Sequence, residues 1–175
     1  MSSQPHSDIR PNPLSAALDR IILSIGHVVM WTNVLLIAVI ILQVVLRYGF
    51  GRGMVVLEEL QWHLYAIGIM FGASYAQMLD SHIRVDIIHA RLSQKWKLRW
   101  DLFGTLFLLL PFIIVVFHQS LPFMAESFRL GERSDAPLGL PYRWAIKAVI
   151  PISFALLGIA TLSRAARIIT HLKRA

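Results

Sequence analysis

No cysteine occurs anywhere in the 175 residues. That excludes disulfides, thiolate catalysis and cysteine-ligated iron–sulfur clusters, and it leaves the compartment open. Charge is also scarce. Asp, Glu, Lys and Arg make up 15% of the chain, where an ordinary soluble domain carries about 25%. Acidic residues are the scarcer kind, 10 against 17 basic, for a net charge of +7. A basic balance can signal nucleic acid. Here the basic residues flank apolar runs, where membrane orientation and anionic headgroups account for them, and no nucleic-acid partner is expected. Internal repeats and low-complexity tracts are lacking too. The polar stretches are too short to build a separate soluble core.

What the chain does have is apolar length, with 56% hydrophobic residues. Four runs contain no Asp, Glu, Lys or Arg: Ile21–Leu46, Leu60–Leu79, Leu102–Ala125 and Ala148–Ser163. A helix of about 20 apolar residues crosses a bilayer. The fourth run is the shortest, and Lys147 at its edge can lengthen it by snorkelling. The expectation is an all-α integral membrane protein of one domain, with four transmembrane helices near residues 21–46, 60–79, 102–125 and 146–166. Residues 1–13, with three prolines, are expected to be a disordered tail. They do not read as a secretory signal, since the apolar run that follows is too long. Helical spacing of Leu14, Ala17, Leu18 and Ile21 starts a helix near Ser15.

Lys and Arg set the orientation. The N-terminus, the stretch between the second and third runs, and the tail together hold eleven; the opposite loops hold six. Both termini are therefore expected in the cytoplasm. From Arg84 to Trp100, apolar residues fall on one helical arc and Arg84, Arg91, Lys95 and Arg99 on its neighbour. With Trp96 and Trp100, this reads as an amphipathic segment at the lipid interface between the second and third spans. Ser93 is placed to cap a new helix within it. Pro111 is expected to kink the third span. Tyr142 and Trp144 read as interface anchors for the fourth.

The second run carries the most information. Gly68, Gly72 and Ala76 stand four apart, so one helix face is small enough for another helix to approach closely. Glu58 and Glu59 precede it, and His82, Arg84 and Asp86 follow. These residues, in their order, resemble a known family. Arg47-Tyr48 leads into Glu58-Glu59-Leu60, then Gly72-Ala73 and Ala76, then His82-Ile83-Arg84-Val85-Asp86. Glu132-Arg133-Ser134, Pro141-Tyr142-Arg143-Trp144 and Pro151 continue the likeness, which covers roughly residues 14 to 170. The pattern is similar to the small membrane subunit of the tripartite ATP-independent periplasmic (TRAP) transporters. The resemblance implies a scaffold in the bacterial inner membrane, with no catalytic role and no cofactor. It implies two partners: a large membrane subunit, driven by a sodium gradient, and a periplasmic binding protein that delivers organic acids such as dicarboxylates or sugar acids.

Sharper readings compete with this one. Glu58 and Glu59 at a span end suit a partner or interface contact better than proton chemistry. Arg47 lies with them. His82, Asp86 and His89 have the spacing of a metal set, but Arg84 and Arg91 oppose a cation, and a hydrogen-bonded cap or partner contact is preferred. His63 and His118 are able, by type, to ligate a b-type haem in an electron-transfer subunit. A structural subunit of another membrane complex is the remaining alternative.

Overall fold

The computed structural model describes residues 13–79 and 93–174. The expected tail, apart from Pro13, lies outside the described residues, and so do His82, Arg84, Asp86, His89 and Arg91. All the described regular structure is helical.

Helix α1, Pro13–Val44, runs straight into a π-helical turn at Val45–Gly49. Pro13, expected in the tail, is its first residue, where a missing N–H costs least. Gly51 then takes φ +65°, a conformation that favours glycine, and the chain reverses. Helix α2 is Val55–Met78. Helix α3, Gln94–Gly104, begins directly after Ser93, which has the extended backbone of an N-cap but makes no side-chain cap bond. A second π-helical turn, Thr105–Leu109, joins α3 to α4, Leu110–Arg129. Here the Leu110 N–H reaches back five residues to the Thr105 carbonyl. Pro111 follows at once, in the first turn of α4. The widened turn absorbs the proline, which has no N–H to donate, and the helix runs on to Arg129. Helix α5, Arg143–Arg174, contains Pro151.

The packing order is α1 on α2, α2 on α5, and α5 on α4, with α5 also touching α1 and α3. Helix α5 is therefore the centre. Its buried residues are mostly small: Ser153, Ala160, Thr161, Ser163 and Ala165, beside Leu157 and Ile168. Small residues let backbones approach, and close van der Waals contact is what holds helices together in lipid. Fully buried Ser74 of α2 donates to the Ser153 carbonyl at 3.3 Å across this contact. By contrast α1, the second π-helical turn and α4 expose Trp31, Ile37, Ile41, Phe107, Leu108 and Phe112, the surface that a bilayer would cover.

Three helical stretches among the described residues are long and apolar enough to cross a membrane: Ser24–Gly49, Lys95–Arg129 and Arg143–Lys173. The sequence suggested four. Helix α2 is long enough, 24 residues or about 36 Å, but Gln61, His63, Ser74 and Gln77 make it more polar than the other three. It packs against both α1 and α5, and its Ser74 and Gln77 are buried.

Candidate functional site

Two loops meet at one end of the bundle, and polar side chains join them. The first is the α1–α2 turn. Buried Gln43 near the end of α1 accepts from the Met54 N–H at 3.4 Å and donates to Glu58 Oε1 at 3.2 Å. Arg47, in the π-helical turn, donates to the same oxygen at 3.3 Å. The longer cycle of the π turn thus stands where α1 turns its last polar residues toward α2.

Glu59 binds the second loop, 130–142. Its carboxylate accepts from the Ser134 hydroxyl and, at 2.5 Å, from the Leu140 N–H. These two hydrogen bonds hold its pKa below the ordinary 4.5, and the nearby His63 and Arg143 add to the effect. His63 Nδ1 lies 2.6 Å from the Glu59 carbonyl, one turn back. Gly139 is obligatory on grounds of space: a Cβ there would collide with Ser134 and the Glu59 carboxylate.

A second carboxylate closes the far side of the loop. Glu132 pairs with Lys147 and, at 3.6 Å, with Arg143 Nε. The Lys147 hydrogen bond holds the Glu132 pKa below its ordinary value. Arg143 also donates to Asp135 at 3.0 Å. The Lys147 ammonium lies 4.0 Å from the centre of the Phe123 ring, a cation–π contact that ties α5 to α4. So fastened, the loop presents Leu138 at φ +63° and 89% exposure.

The small-residue face of α2 divides in two. A Cβ at Gly68 would stand 3.1 Å from Asn33 Oδ1 and 3.6 Å from Thr32 Oγ1 of α1. At Gly72 it would meet nothing within 4 Å. Ala76 is half-buried. The tightest approach of α1 to α2 is at Gly26, where a Cβ would overlap the Tyr75 ring. Neither Gly26 nor the small face of α5 was picked out from the sequence. Ser153, Ala160 and Thr161 at spacings of seven and one are the pattern that could have revealed the latter.

At the opposite end, Arg99 covers the Trp96 ring at 5.2 Å, Trp100 packs edge-on to Phe103, and Lys95 is exposed. Trp144 is half-buried, edge-on to Phe128 near the loop end. His63 and His118 stand on α2 and α4, which each pack on α5.

Residues 36–171 match the family model described as "Tripartite ATP-independent periplasmic transporters, DctQ component". This chain belongs to the DctQ family. The match takes in all of α2, α3 and α4, both latched loops and nearly all of α5. Comparison with curated proteins gives no match. The DctQ component is one part of a three-part transporter, and the exposed apolar helices make this member a multi-pass membrane protein.

Proposed function

We propose that this DctQ protein is the non-catalytic scaffold subunit of a sodium-gradient-driven importer of organic acids, such as dicarboxylates or sugar acids. It resides in the bacterial inner membrane and braces a separate large membrane subunit, to which a periplasmic binding protein delivers substrate. In this reading α2 is a fourth span and both termini are cytoplasmic, as the Lys/Arg count indicates. Arg84, Arg91, Lys95, Trp96, Arg99 and Trp100 lie at the lipid headgroups, with Trp144 at the other interface. Gly72 and Ala76 on α2, with His82 and Asp86 beyond it, face the large subunit. Glu58, Glu59 and Arg47 shape the loop surface offered to the partners.

One observation carries the scaffold reading. The four apolar runs hold no Asp, Glu, Lys or Arg. The ion-paired groups stand toward helix ends: Arg47, Glu58, Glu132, Arg143 and Lys147 at one, Asp101 and Arg164 toward the other. A subunit that couples sodium to substrate needs polar groups and broken helices at mid-membrane. The test is reconstitution in liposomes with an inward sodium gradient. Uptake should require the large subunit together with this chain. Uptake by this chain alone would overturn the proposal. Reporter fusions at Ser134 and at the C-terminus should report opposite sides of the membrane; the same side for both would overturn the topology.

A further inference from the structure

One side of α3 and its π-helical turn is a stripe of aromatic residues with a cation near its start. Trp96, Arg99, Trp100, Phe103 and Phe107 recur three and four residues apart, which puts them on one helix face. The four aromatic residues are 48–65% exposed, so the chain itself leaves this face open. The rings form a ladder. Trp100 meets Phe103 edge-on at 5.9 Å, and Phe103 stacks on Phe107 at 5.0 Å.

Three observations say what would cover it. First, the Arg99 guanidinium lies over the Trp96 ring, 5.2 Å from its centre. Among the described residues no ion pair or hydrogen bond engages its N–H groups. Stacking on a ring leaves that planar fork open, and the fork matches a phosphate. Second, this end of the bundle is strongly positive. Residues 93–101 and 164–174 hold seven Lys/Arg against Asp101 alone, and Asp101 is already 3.6 Å from Arg164. The sequence 80–92 adds two residues of each sign. At the loop end, residues 47–59 and 126–147 hold six Lys/Arg against five Glu/Asp. Third, the length fits. From Arg99 to Phe107 the helix rises about 12 Å. That is most of the roughly 15 Å that one leaflet contributes to the hydrocarbon core. The chain carries no charge from Leu102 to Ala125, so the lower rings belong to the apolar layer and Arg99 to the headgroups above it. A soluble anion would use Arg99 and leave the ladder idle, whereas an amphiphile uses both. A zwitterionic headgroup brings an ammonium that the surrounding cations repel.

We propose that this stripe binds one anionic phospholipid of the phosphatidylglycerol type. Its phosphate sits on Arg99, and an acyl chain runs along Trp100, Phe103 and Phe107. The inference rests on the headgroup placement of α3 proposed above, and it gives that placement a chemical preference.

The full-length chain purified in mild detergent provides the test. It is offered equal amounts of phosphatidylglycerol and phosphatidylethanolamine, and bound lipid is read by native mass spectrometry. Retention should favour phosphatidylglycerol by about fivefold at low salt, the ratio that one Lys/Arg contributes at an anionic surface. Equal retention would overturn the proposal without any variant having to fold. Arg99→Gln should remove the preference. Arg52→Gln removes the same charge from the exposed first loop, at the other end, and should leave the preference intact. Equal effects of the two would show a response to net charge and overturn the site. Phe107→Ala should lower retention of both lipids by roughly threefold, since the acyl chain loses a wall. Unchanged retention there would overturn the ladder's part, and displacement of the lipid by inorganic phosphate would show a simple anion site instead. Loss of the lipid when the large subunit binds would make the stripe a subunit contact, which also overturns the proposal. Failure of the lipid preference with an intact two-subunit complex leaves the scaffold reading standing.

Discussion

The two ends of this bundle are built differently. At the loop end, carboxylates of α2 and of the α4–α5 loop are engaged within the chain. Glu58 takes Gln43 and Arg47, Glu59 takes Ser134 and Leu140, and Glu132 takes Lys147 and Arg143. At the other end Asp101 and Arg164 form an ion pair between α3 and α5, and Gln77 of α2 lines an open crease beside it. The difference teaches where specificity of shape comes from in a small membrane bundle. Helices in lipid gain little by burying apolar surface against one another. Polar contacts at span ends fix the loops at one end. At the other end, close backbone approach at Gly26 is left to hold α1 against α2.

That comparison breaks most sharply at glycine. Gly26→Leu should destabilise the isolated chain by roughly 1–3 kcal/mol, because the Tyr75 ring already fills the space. Gly72→Leu should change it by no more than about 0.5 kcal/mol, since nothing stands within 4 Å. Thermal unfolding in mild detergent distinguishes them. If Gly72→Leu keeps that stability yet loses the large subunit on co-purification, the open half of the α2 face is where the partner sits. Equal losses of stability in the two variants would contradict the division of the face.

The next effect is at Glu59. Glu59→Gln keeps the size of the side chain but weakens its acceptance from Ser134 and Leu140. The chain has no cysteine, so Leu138→Cys gives a unique label position at the exposed loop tip. A fluorophore there should report a looser loop in Glu59→Gln, with exchange of the Leu140 amide faster by about tenfold. Acid should act the same way on the unaltered chain. A carboxylate whose folded pKa is depressed stabilises fully above its ordinary 4.5, and the contribution fades as pH falls through the lower folded value. Glu132 is depressed in the same direction and adds to the transition. Below pH 4.5 the loop should therefore loosen, with a smaller change in Glu59→Gln. An identical acid profile in both proteins would remove Glu59 from the latch.

Smallest is Arg47→Gln. The Arg47–Glu58 pair is 3.3 Å long, with side chains 59% and 45% exposed. An ion pair so placed contributes about 0–1 kcal/mol, and less as salt rises. Gln43 continues to bond Glu58 without it. A loss as large as that of Gly26→Leu would mean that Arg47 supports the π-helical turn itself.

Much of this was legible in the chain before any coordinates. Charge-free runs determined the helices, because a bilayer-length stretch without charge satisfies its backbone only as a helix. Ser93 marked the start of α3, and the ordered motifs around Glu58-Glu59 and Glu132–Trp144 pointed to the DctQ family. Gly68, Gly72 and Ala76 were visible as one small face. The helical period gives no information about which neighbour each residue meets.

That part only the tertiary structure decided. It set Gly68 against Asn33, left Gly72 open, and made Gly26 the close approach. It put α5 at the centre, although its apolar run was the shortest of the four. It brought Glu59 to an N–H eighty-one residues away at Leu140, and Asp101 to within 3.6 Å of Arg164. Spacing along a helix fixes which residues share a face, since 3.6 residues per turn is a local property. Which faces meet depends on the volumes of side chains that come together only once the helices pack.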